Sequence, residues 1–210
     1  MSDIYYLERT KNGTNAITLK SKLFENRIIF LDSQINVESV NTTIAQISLL
    51  VMENPNEPIT ILINSPGGSI LNGMVLIDVM QACPCTIQTV SLGIAASMGA
   101  VILAAGTKGH RFVSPNSQVM VHQPLIAGGI PGGNCSEIES VANSLIKTKN
   151  DLDKFLSKLT GKPLKAIRKL TGKDTYMNAE EALKERHEVR NQNANKIVDF
   201  NYIIPYCCDI

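Results

Sequence analysis

The sequence predicts an α/β domain built around a mainly parallel sheet. This prediction rests on four short β-rich runs and on the helical stretches that lie between the first three of them. Parallel neighbours need a crossover connection, and each intervening stretch is amphipathic and long enough to supply one. The β-rich runs are RIIFLD at 27–32, ITILIN at 59–64, TIQTVS at 86–91 and QVMVHQ at 118–123, and the crossovers are VESVNTTIAQISLLVMEN and ILNGMVLIDVMQA.

The third run leads into the apolar stretch SLGIAASMGAVILAAG at 91–106. This stretch belongs to a longer region, between Asp78 and Lys108, that contains no charged residue. A membrane-spanning helix needs about 20 predominantly apolar residues. Here the uncharged region is interrupted by Pro84 and glutamines, so a membrane span is improbable. Gly93 is expected to end the strand, and SMGAVILAA is expected to form a closely packed helix.

A glycine- and proline-rich segment, PLIAGGIPGGNC at 124–135, follows the fourth run and favours a loop or an irregular edge strand. Beyond it, apolar residues at three-, four- and seven-residue intervals predict a long helix that Gly161 ends. The apolar stripe either packs on the same domain or forms a contact between subunits. Its members are Ile138, Val141, Leu145, Leu152, Phe155 and Leu159.

The chain continues with PLKAIRKLTGKD, which predicts a short helix, and NAEEAL, which predicts a helix start with a capping box between Asn178 and Glu181. From Lys184 to Lys196 the sequence is almost wholly polar. The apolar end, IVDFNYIIPYCCDI, cannot be assigned to an element from its pattern.

The composition indicates a globular protein without a charged partner. The 210 residues are 44% hydrophobic, and 20 basic against 19 acidic residues leave a net charge of +1, which favours neither nucleic acid nor an anionic membrane. No basic start leads into an apolar run, so a secretory signal is not expected. The odd count of five cysteines suits reduced thiols in a cytoplasmic protein, and the CPC spacing at 83–85 argues against a metal site.

Three histidines are available as the base that a serine nucleophile would need. His187 lies in a charged run and His110 beside a turn, so both are interpreted as surface residues. His122 directly follows an apolar strand, at the strand end where α/β sheets place their sites. On this pattern alone, His122 fits a hydrogen-bonded core residue equally well.

Ser97 lies among small residues at the point where strand gives way to helix. In the first turn of that helix the N–H of Met98 has no intrahelical acceptor. A second turn, NSPGGS at 64–69, can present the N–H groups of Gly67 and Gly68 to an oxyanion. Without further information, Ser97 could be only a helix-packing residue and SPGG only a tight turn, and these are the more ordinary interpretations.

Four segments together resemble, in the same order, the signature segments of the ClpP family, the proteolytic chamber subunits of ATP-dependent Clp proteases. They are INSPGGSI, GIAASMGAVILAAGTKGHRF, PNSQVMVHQPL and YMNAEEAL. The resemblance extends from about Leu19 to Leu183 and implies an α/β ClpP/crotonase-like fold with repeated β-β-α units and a projecting handle helix. It also implies an axial segment at 1–18, a peptidase domain at 19–183 with its handle at about 124–160, and an atypical tail at 184–210.

The resemblance further implies a role for each candidate residue of a serine endopeptidase. Ser97 would be the nucleophile, His122 the general base and Asp174 the carboxylate that orients the imidazole, while Gly68 and Met98 would donate the oxyanion hydrogen bonds. Substrate-binding positions are expected at Gly67, Ile94, Pro124 and Leu125. The glycine-rich run that begins at Pro124 is similar to the family's edge strand, against which extended substrate pairs.

The partners implied are further copies of the chain, as two stacked heptameric rings, and an AAA+ unfoldase that feeds unfolded polypeptides into the chamber. ATP would be used by the unfoldase, and this chain, which has no GxxxxGK loop, would need no cofactor and no metal. Neither nucleic acid nor membrane is expected as a partner.

The chain departs from the family pattern at several positions. Ile94 replaces a common polar residue, and Thr60 and Leu62 stand where aromatic residues line the docking pocket for unfoldase loops. Phe112 matches that pocket, but Ser114 replaces an aliphatic residue, so docking is expected to be weak or to involve another partner. These differences, with the tail, leave open a catalytically weak or structural subunit of mixed rings. A crotonase-type acyl-CoA enzyme is disfavoured because a Ser/His/Asp set would be superfluous there.

Overall fold

The computed structural model describes residues 5–10, 13–126, 128 and 132–185. This part of the chain contains eight strands and seven helices. The strands are β1 (Tyr5–Thr10), β2 (Gly13–Thr18), β3 (Ile28–Leu31), β4 (Ile59–Ser65), β5 (Ile87–Ala96), β6 (Arg111–Val113), β7 (Gln118–Val121) and β8 (Thr175–Met177). The helices are α1 (Leu19–Glu25), α2 (Val37–Glu53), α3 (Ile70–Ala82), α4 (Met98–Ala105), α5 (Cys135–Thr160), α6 (Leu164–Thr171) and α7 (Ala179–Glu185).

The main sheet has six strands in the order β3-β4-β5-β7-β8, with β6 paired to the first half of β5. Every pairing is parallel except that of β7 with β8, which is antiparallel. The helices α2 and α3 supply the crossovers between the first three of these strands. The predicted α/β architecture with a mainly parallel sheet, and the ClpP/crotonase-like fold class, are therefore confirmed.

The core lies between the sheet and the helices that cover one of its faces. Alternate residues of β4, namely Ile59, Ile61 and Ile63, belong to this core together with residues of α2, α3 and α4. Leu62 points to the other face and packs in a smaller apolar cluster with Val90. The period-two alternation within one strand thus separates a large buried core from a second, smaller apolar surface.

The prediction that Gly93 ends the third strand is wrong, because β5 continues through Gly93 to Ala96. Gly93 takes φ +93°, which only glycine adopts readily, and forms an irregularity instead of an end. Its N–H donates to Ser117 Oγ at 2.8 Å, and the next N–H, of Ile94, donates to Asn64 Oδ1 at 3.1 Å. Side chains therefore replace the missing ladder bonds while β5 changes its partner from β6 to β7.

The long helix α5 begins at a capping box formed by Asn134 and Glu137 and ends at Gly161, which has left-handed backbone angles. Its second half packs on α4 and α6, whereas no residue of α5 before Asp153 is buried in the described chain. The apolar stripe therefore covers the domain's own core at its C-terminal end, and Ile138 near its N-terminal end is 42% exposed.

The start of α7 agrees with its sequence signal. The capping box of α7 is present, with the Asn178 side chain accepting from Glu181 N–H at 2.9 Å and the Glu181 side chain accepting from Asn178 N–H. Residues 5–10 and 13–18 form an antiparallel hairpin that the sequence pattern did not predict. Of the predicted tail, only Lys184 and Glu185 are among the described residues. None of the helices in the described ranges is long and apolar enough to cross a membrane.

Arg27 is a buried anchor between α1 and β3 that the sequence pattern did not single out. Its backbone has φ +60° and the residue is only 8% exposed. The guanidinium donates to the carbonyl oxygens of Leu50, Asn54, Glu57 and Pro58 at 2.9–3.1 Å. Two of these carbonyls lie at the end of α2. Asn54 O follows the last helical residue, and Leu50 O also accepts from Asn54 N–H, so Arg27 adds a donor to each.

Arg27→Ala is expected to destabilise the fold by about 3 to 5 kcal/mol, because four backbone acceptors lose a charged donor. For a domain of this size, that corresponds to a melting temperature lower by roughly 6–20 °C, which calorimetry measures. Arg27→Lys keeps the charge without the fork of donors and should fall between wild type and Arg27→Ala. Arg168→Ala removes one exposed hydrogen bond to Asn150 and is the control. An Arg27→Ala shift no larger than that of the control would contradict this role.

Candidate active site

Ser97 lies between the end of β5 and the start of α4, on a backbone with φ +53° and ψ −120°. A non-glycine residue rarely adopts such angles, and strain of this kind persists only where the surroundings enforce it. The Ser97 N–H donates to Met120 O at 2.8 Å, and its carbonyl accepts from Ala100 N–H at 3.0 Å. The turn is thus fixed on both sides and projects the side chain at the strand-to-helix junction, as in the nucleophile elbows of α/β-hydrolases.

The elbow is possible because the surrounding backbone comes unusually close. A Cβ atom at Gly67 would lie 2.6 Å from both Ala96 O and Ser97 Cβ, and Gly67 has φ +92°. A Cβ at Gly99 would lie 3.2 Å from Ser65 O. These small residues therefore hold the turn after β4 directly against the turn that carries Ser97.

His122 follows β7 immediately and lies beside Ser97. The register of the parallel pair β5–β7 aligns Ala96 with Met120, so the residues that follow each strand emerge at the same edge of the sheet. His122 Nε2 is 2.8 Å from Ser97 Oγ, and the imidazole side chain is 15% exposed. This distance permits a proton to pass directly between the two side chains.

Asp174 immediately precedes β8, whose antiparallel pairing with β7 aligns Thr175 with Val121. The geometry places Asp174 next to His122, with 3.6 Å between Asp174 Oδ1 and His122 Nδ1. The aspartate side chain is 66% exposed. The two groups are in ion-pair range, but the contact is longer than a hydrogen bond, so direct bonding needs a small approach of the carboxylate.

The two expected oxyanion donors, Gly68 and Met98, directly follow Gly67 and Ser97, whose turns pack against each other. Met98 opens α4, where the helix offers its N–H no acceptor. Gly68 has φ +150°, and a Cβ there would lie 2.9 Å from Ile35 N, so only glycine fits beside the Ile35–Gly68 bridge. The neighbours of Gly68 satisfy that bridge, since Ile35 N–H donates to Gly67 O and Ser69 N–H donates to Ile35 O.

A pocket opens beside the Ser97 hydroxyl, lined mainly by apolar side chains. Pro124, one of the predicted substrate-binding residues, is part of this lining. Gly67 instead packs under the elbow, Ile94 is half-buried in β5, and Leu125 is 62% exposed. The lining residues are Ile70, Ser97, Val101, Val121, His122, Pro124, Leu152, Asp153, Leu156 and Thr171.

Asp153 is a residue of this pocket that the sequence pattern did not indicate. It is 2% exposed, accepts from Thr171 Oγ1 at 2.8 Å and forms an ion pair with Lys149 Nζ at 3.1 Å. The pocket therefore has a buried, hydrogen-bonded carboxylate among its mainly apolar lining residues. The only sequence signal was the Lys149–Asp153 spacing of four residues within an amphipathic helix, which is common on exposed helix faces.

The predicted docking positions lie on the sheet face opposite the helices. Leu62 is 6% exposed and packs in the second apolar cluster, where Phe112 is half-buried. Ser114 is buried and hydrogen-bonded to Ser117, with 2.5 Å between their oxygens. Thr60 is half-buried on the same strand as Leu62. Ser114 therefore contributes a buried polar pair at this position.

The predicted glycine-rich edge lies partly outside the described residues. Residues 122–126 and 132–134 form neither helix nor strand, and Gly128 has φ +90°. The expectation that this run provides an edge strand for substrate therefore stays a prediction.

Comparison with protein families gives a match to the Clp protease family over residues 11–185. The match includes the turns that carry Gly68 and Ser97 and the strand ends that carry His122 and Asp174. Since it spans most of the 210-residue sequence, the chain belongs to the Clp protease family.

Proposed function

We propose that this chain is a serine endopeptidase subunit that hydrolyses unfolded polypeptides with Ser97, His122 and Asp174. The 2.8 Å contact between His122 Nε2 and Ser97 Oγ, on a strained turn, is the observation that carries this proposal. Membership of a protease family supports the hydrolytic chemistry. The three side chains come from separate elements, as expected for a triad defined by geometry and not by sequence position.

In the proposed reaction His122 Nε2 takes the Ser97 proton while Oγ attacks a peptide carbonyl. Asp174 accepts a hydrogen bond from the Nδ1–H of His122, which holds the tautomer with a free Nε2 and stabilises the imidazolium. The protonated imidazole then gives its proton to the leaving amine. Water, activated by the same imidazole, hydrolyses the acyl-enzyme and restores Ser97.

The N–H groups of Gly68 and Met98 are proposed to stabilise the oxyanion of the tetrahedral intermediates. Both turns are held by close backbone packing, so the donors need little rearrangement when charge develops. The apolar pocket at Pro124 and Leu152 would take the side chain before the scissile bond. A largely apolar wall favours a range of hydrophobic side chains over one residue type.

The proposed assembly is a pair of stacked heptameric rings of this chain, to which an AAA+ unfoldase delivers substrate. The exposed first half of α5, with Ile138 and Ile146 on its surface, supports its use as a subunit contact. The apolar cluster around Leu62 and Phe112 supports docking of a hydrophobic loop. In this proposal ATP is consumed by the unfoldase, the peptidase uses no cofactor of its own, and the particle works in the cytoplasm.

A fluorophosphonate probe tests the proposed nucleophile. We expect one adduct per active subunit, located at Ser97 by mass spectrometry, since an activated serine oxygen attacks the phosphorus as it would a carbonyl. Ser97→Ala should abolish the adduct. Ser48→Ala, which changes an exposed hydroxyl of α2, should label like the wild type.

Absence of labelling in a fully assembled particle would overturn the peptidase proposal and favour a structural subunit of mixed rings. Labelling without hydrolysis of short peptides would place the defect after the attack, in deacylation. Mixing the chain with a labelled Ser97→Ala copy and measuring co-sedimentation reports ring assembly separately from catalysis.

A further inference from the structure

Cys83 and Cys85 form a close thiol pair at the opposite end of β5 from Ser97. They flank Pro84 in the link between α3, which ends at Ala82, and β5, which starts at Ile87. Their Sγ atoms are 3.4 Å apart. Ten residues of strand separate this link from Ser97, roughly 30 Å along β5.

The local structure holds both sulfur atoms in this arrangement. Cys85 is 8% exposed and belongs to the main core, while Cys83 is half-buried and packs against it. On the strand side, Thr86 O accepts from Ile59 N–H at 2.9 Å, which ties the link to β4. Pro84 fixes one backbone angle between the two cysteines, so few rotations are left to separate the thiols.

The surroundings slow the first attack of Cys83 on an external disulfide, whereas the short distance between the two sulfurs favours the second, internal attack. Burial raises the pKa of the Cys83 thiol to about 11, and the hydrogen bond with Cys85 and its proximity add to that. At neutral pH the Cys83 thiol is therefore largely protonated and slow to attack an external reagent. Once one sulfur is in a mixed disulfide, the other is already close enough to displace the leaving thiol.

We propose that Cys83 and Cys85 are a reversible oxidation site that forms an intrachain disulfide with a low-molecular-weight disulfide such as oxidised glutathione. The thiolate of one cysteine attacks the glutathione disulfide and releases one glutathione thiolate. The second cysteine then attacks the protein sulfur of the mixed disulfide and releases the other glutathione. Two protein thiols are oxidised, one small disulfide is reduced, and the two protein protons pass to the two departing thiolates.

Disulfide formation needs the sulfurs to approach from 3.4 Å to a bond length of about 2.0 Å. The tripeptide ring constrains very little unfolded chain, so the bond is expected to add little stability. It is expected to form and reduce without opening the core, because Cys83 is accessible to the small reagent.

The test uses the intact, assembled protein with serine at Cys207 and Cys208, which prevents pairing in the tail. The protein is equilibrated in glutathione buffers of increasing oxidation, free thiols are trapped with N-ethylmaleimide after denaturation, and the peptides are weighed. We expect the peptide with both cysteines to lose two hydrogens and to take up neither maleimide nor glutathione. Cys135→Ser, which removes an exposed cysteine outside the pair, should leave that result unchanged.

Variants that lack one cysteine, and a second reagent, test whether the two thiols react as a pair. Cys83→Ser and Cys85→Ser should each abolish the loss of two hydrogens. If either variant fails to fold, phenylarsine oxide replaces it, since one arsenic should bridge both thiols of the wild type and protect both from maleimide. A stable glutathione adduct on Cys83 with Cys85 still free would overturn the proposal. So would two reduced thiols at Cys83 and Cys85 in a buffer oxidising enough to glutathionylate Cys135 fully. Because every readout is a mass, the outcome does not depend on the peptidase activity.

Discussion

Ser97→Ala is expected to lower the turnover number for short peptides by about a million-fold, the size of effect seen when the nucleophile of a serine protease is removed. The reason is that the acyl-enzyme route disappears, and only the oxyanion donors and substrate binding remain. The fold should persist, because alanine keeps the backbone angles of the turn and removes only the hydroxyl that bonds His122.

Peptide hydrolysis by the purified variant, measured with active-site titration of the wild type, checks this expectation. Ser48→Ala is the matched control and should retain the wild-type rate. Thermal melting and sedimentation of the two variants should coincide. A Ser97→Ala particle that keeps more than about a hundredth of the wild-type rate would show that another group attacks the substrate.

Asp174→Asn is expected to lower turnover by about 10⁴-fold, since an amide can donate to His122 and favour the wrong imidazole tautomer. In that tautomer Nε2 carries a proton and cannot accept one from Ser97. The long 3.6 Å contact and the exposure of Asp174 make it the residue of the proposed triad whose replacement is most informative. A loss of this size would mean that the carboxylate closes on His122 during the reaction.

The control is Asp151→Asn, which neutralises another exposed carboxylate, one that pairs with Lys154 on α5. It should leave hydrolysis within about twofold of wild type, because exposed ion pairs of this kind contribute little. Fluorophosphonate labelling should slow in Asp174→Asn and not in Asp151→Asn. Equal rates for the two variants would indicate that His122 is oriented without Asp174.

Periodicity predicted the elements that bury much apolar surface. The strands β4 and β7 and the helices α2, α3, α5 and α6 lie where the sequence placed them, since their alternation or helical spacing reflects which side chains are inside. The three-residue strands β6 and β8 are too short to carry a period, and neither was predicted. Gly93 was misread because a glycine that ends a strand and one that bends it have the same local sequence.

Only part of the candidate site could be predicted from the sequence. Ser97, His122 and the two glycines could be proposed from turns and strand ends, but their proximity depends on the pairing of β5 with β7. Asp174 had no local signal and came from resemblance to the family. Arg27 and Asp153 were missed because burial of a charged side chain depends on partners distant in the chain, which no local pattern reveals.

Because β5 continues through Gly93, insertions and deletions in this part of the gene are also restricted. Adding or deleting one codon between Ile87 and Ala96 would reverse which side chains face the core from that point on, and would shift Ser97 along the sheet away from His122. Among descendants of this gene, the strand that leads into the candidate site must therefore keep its length.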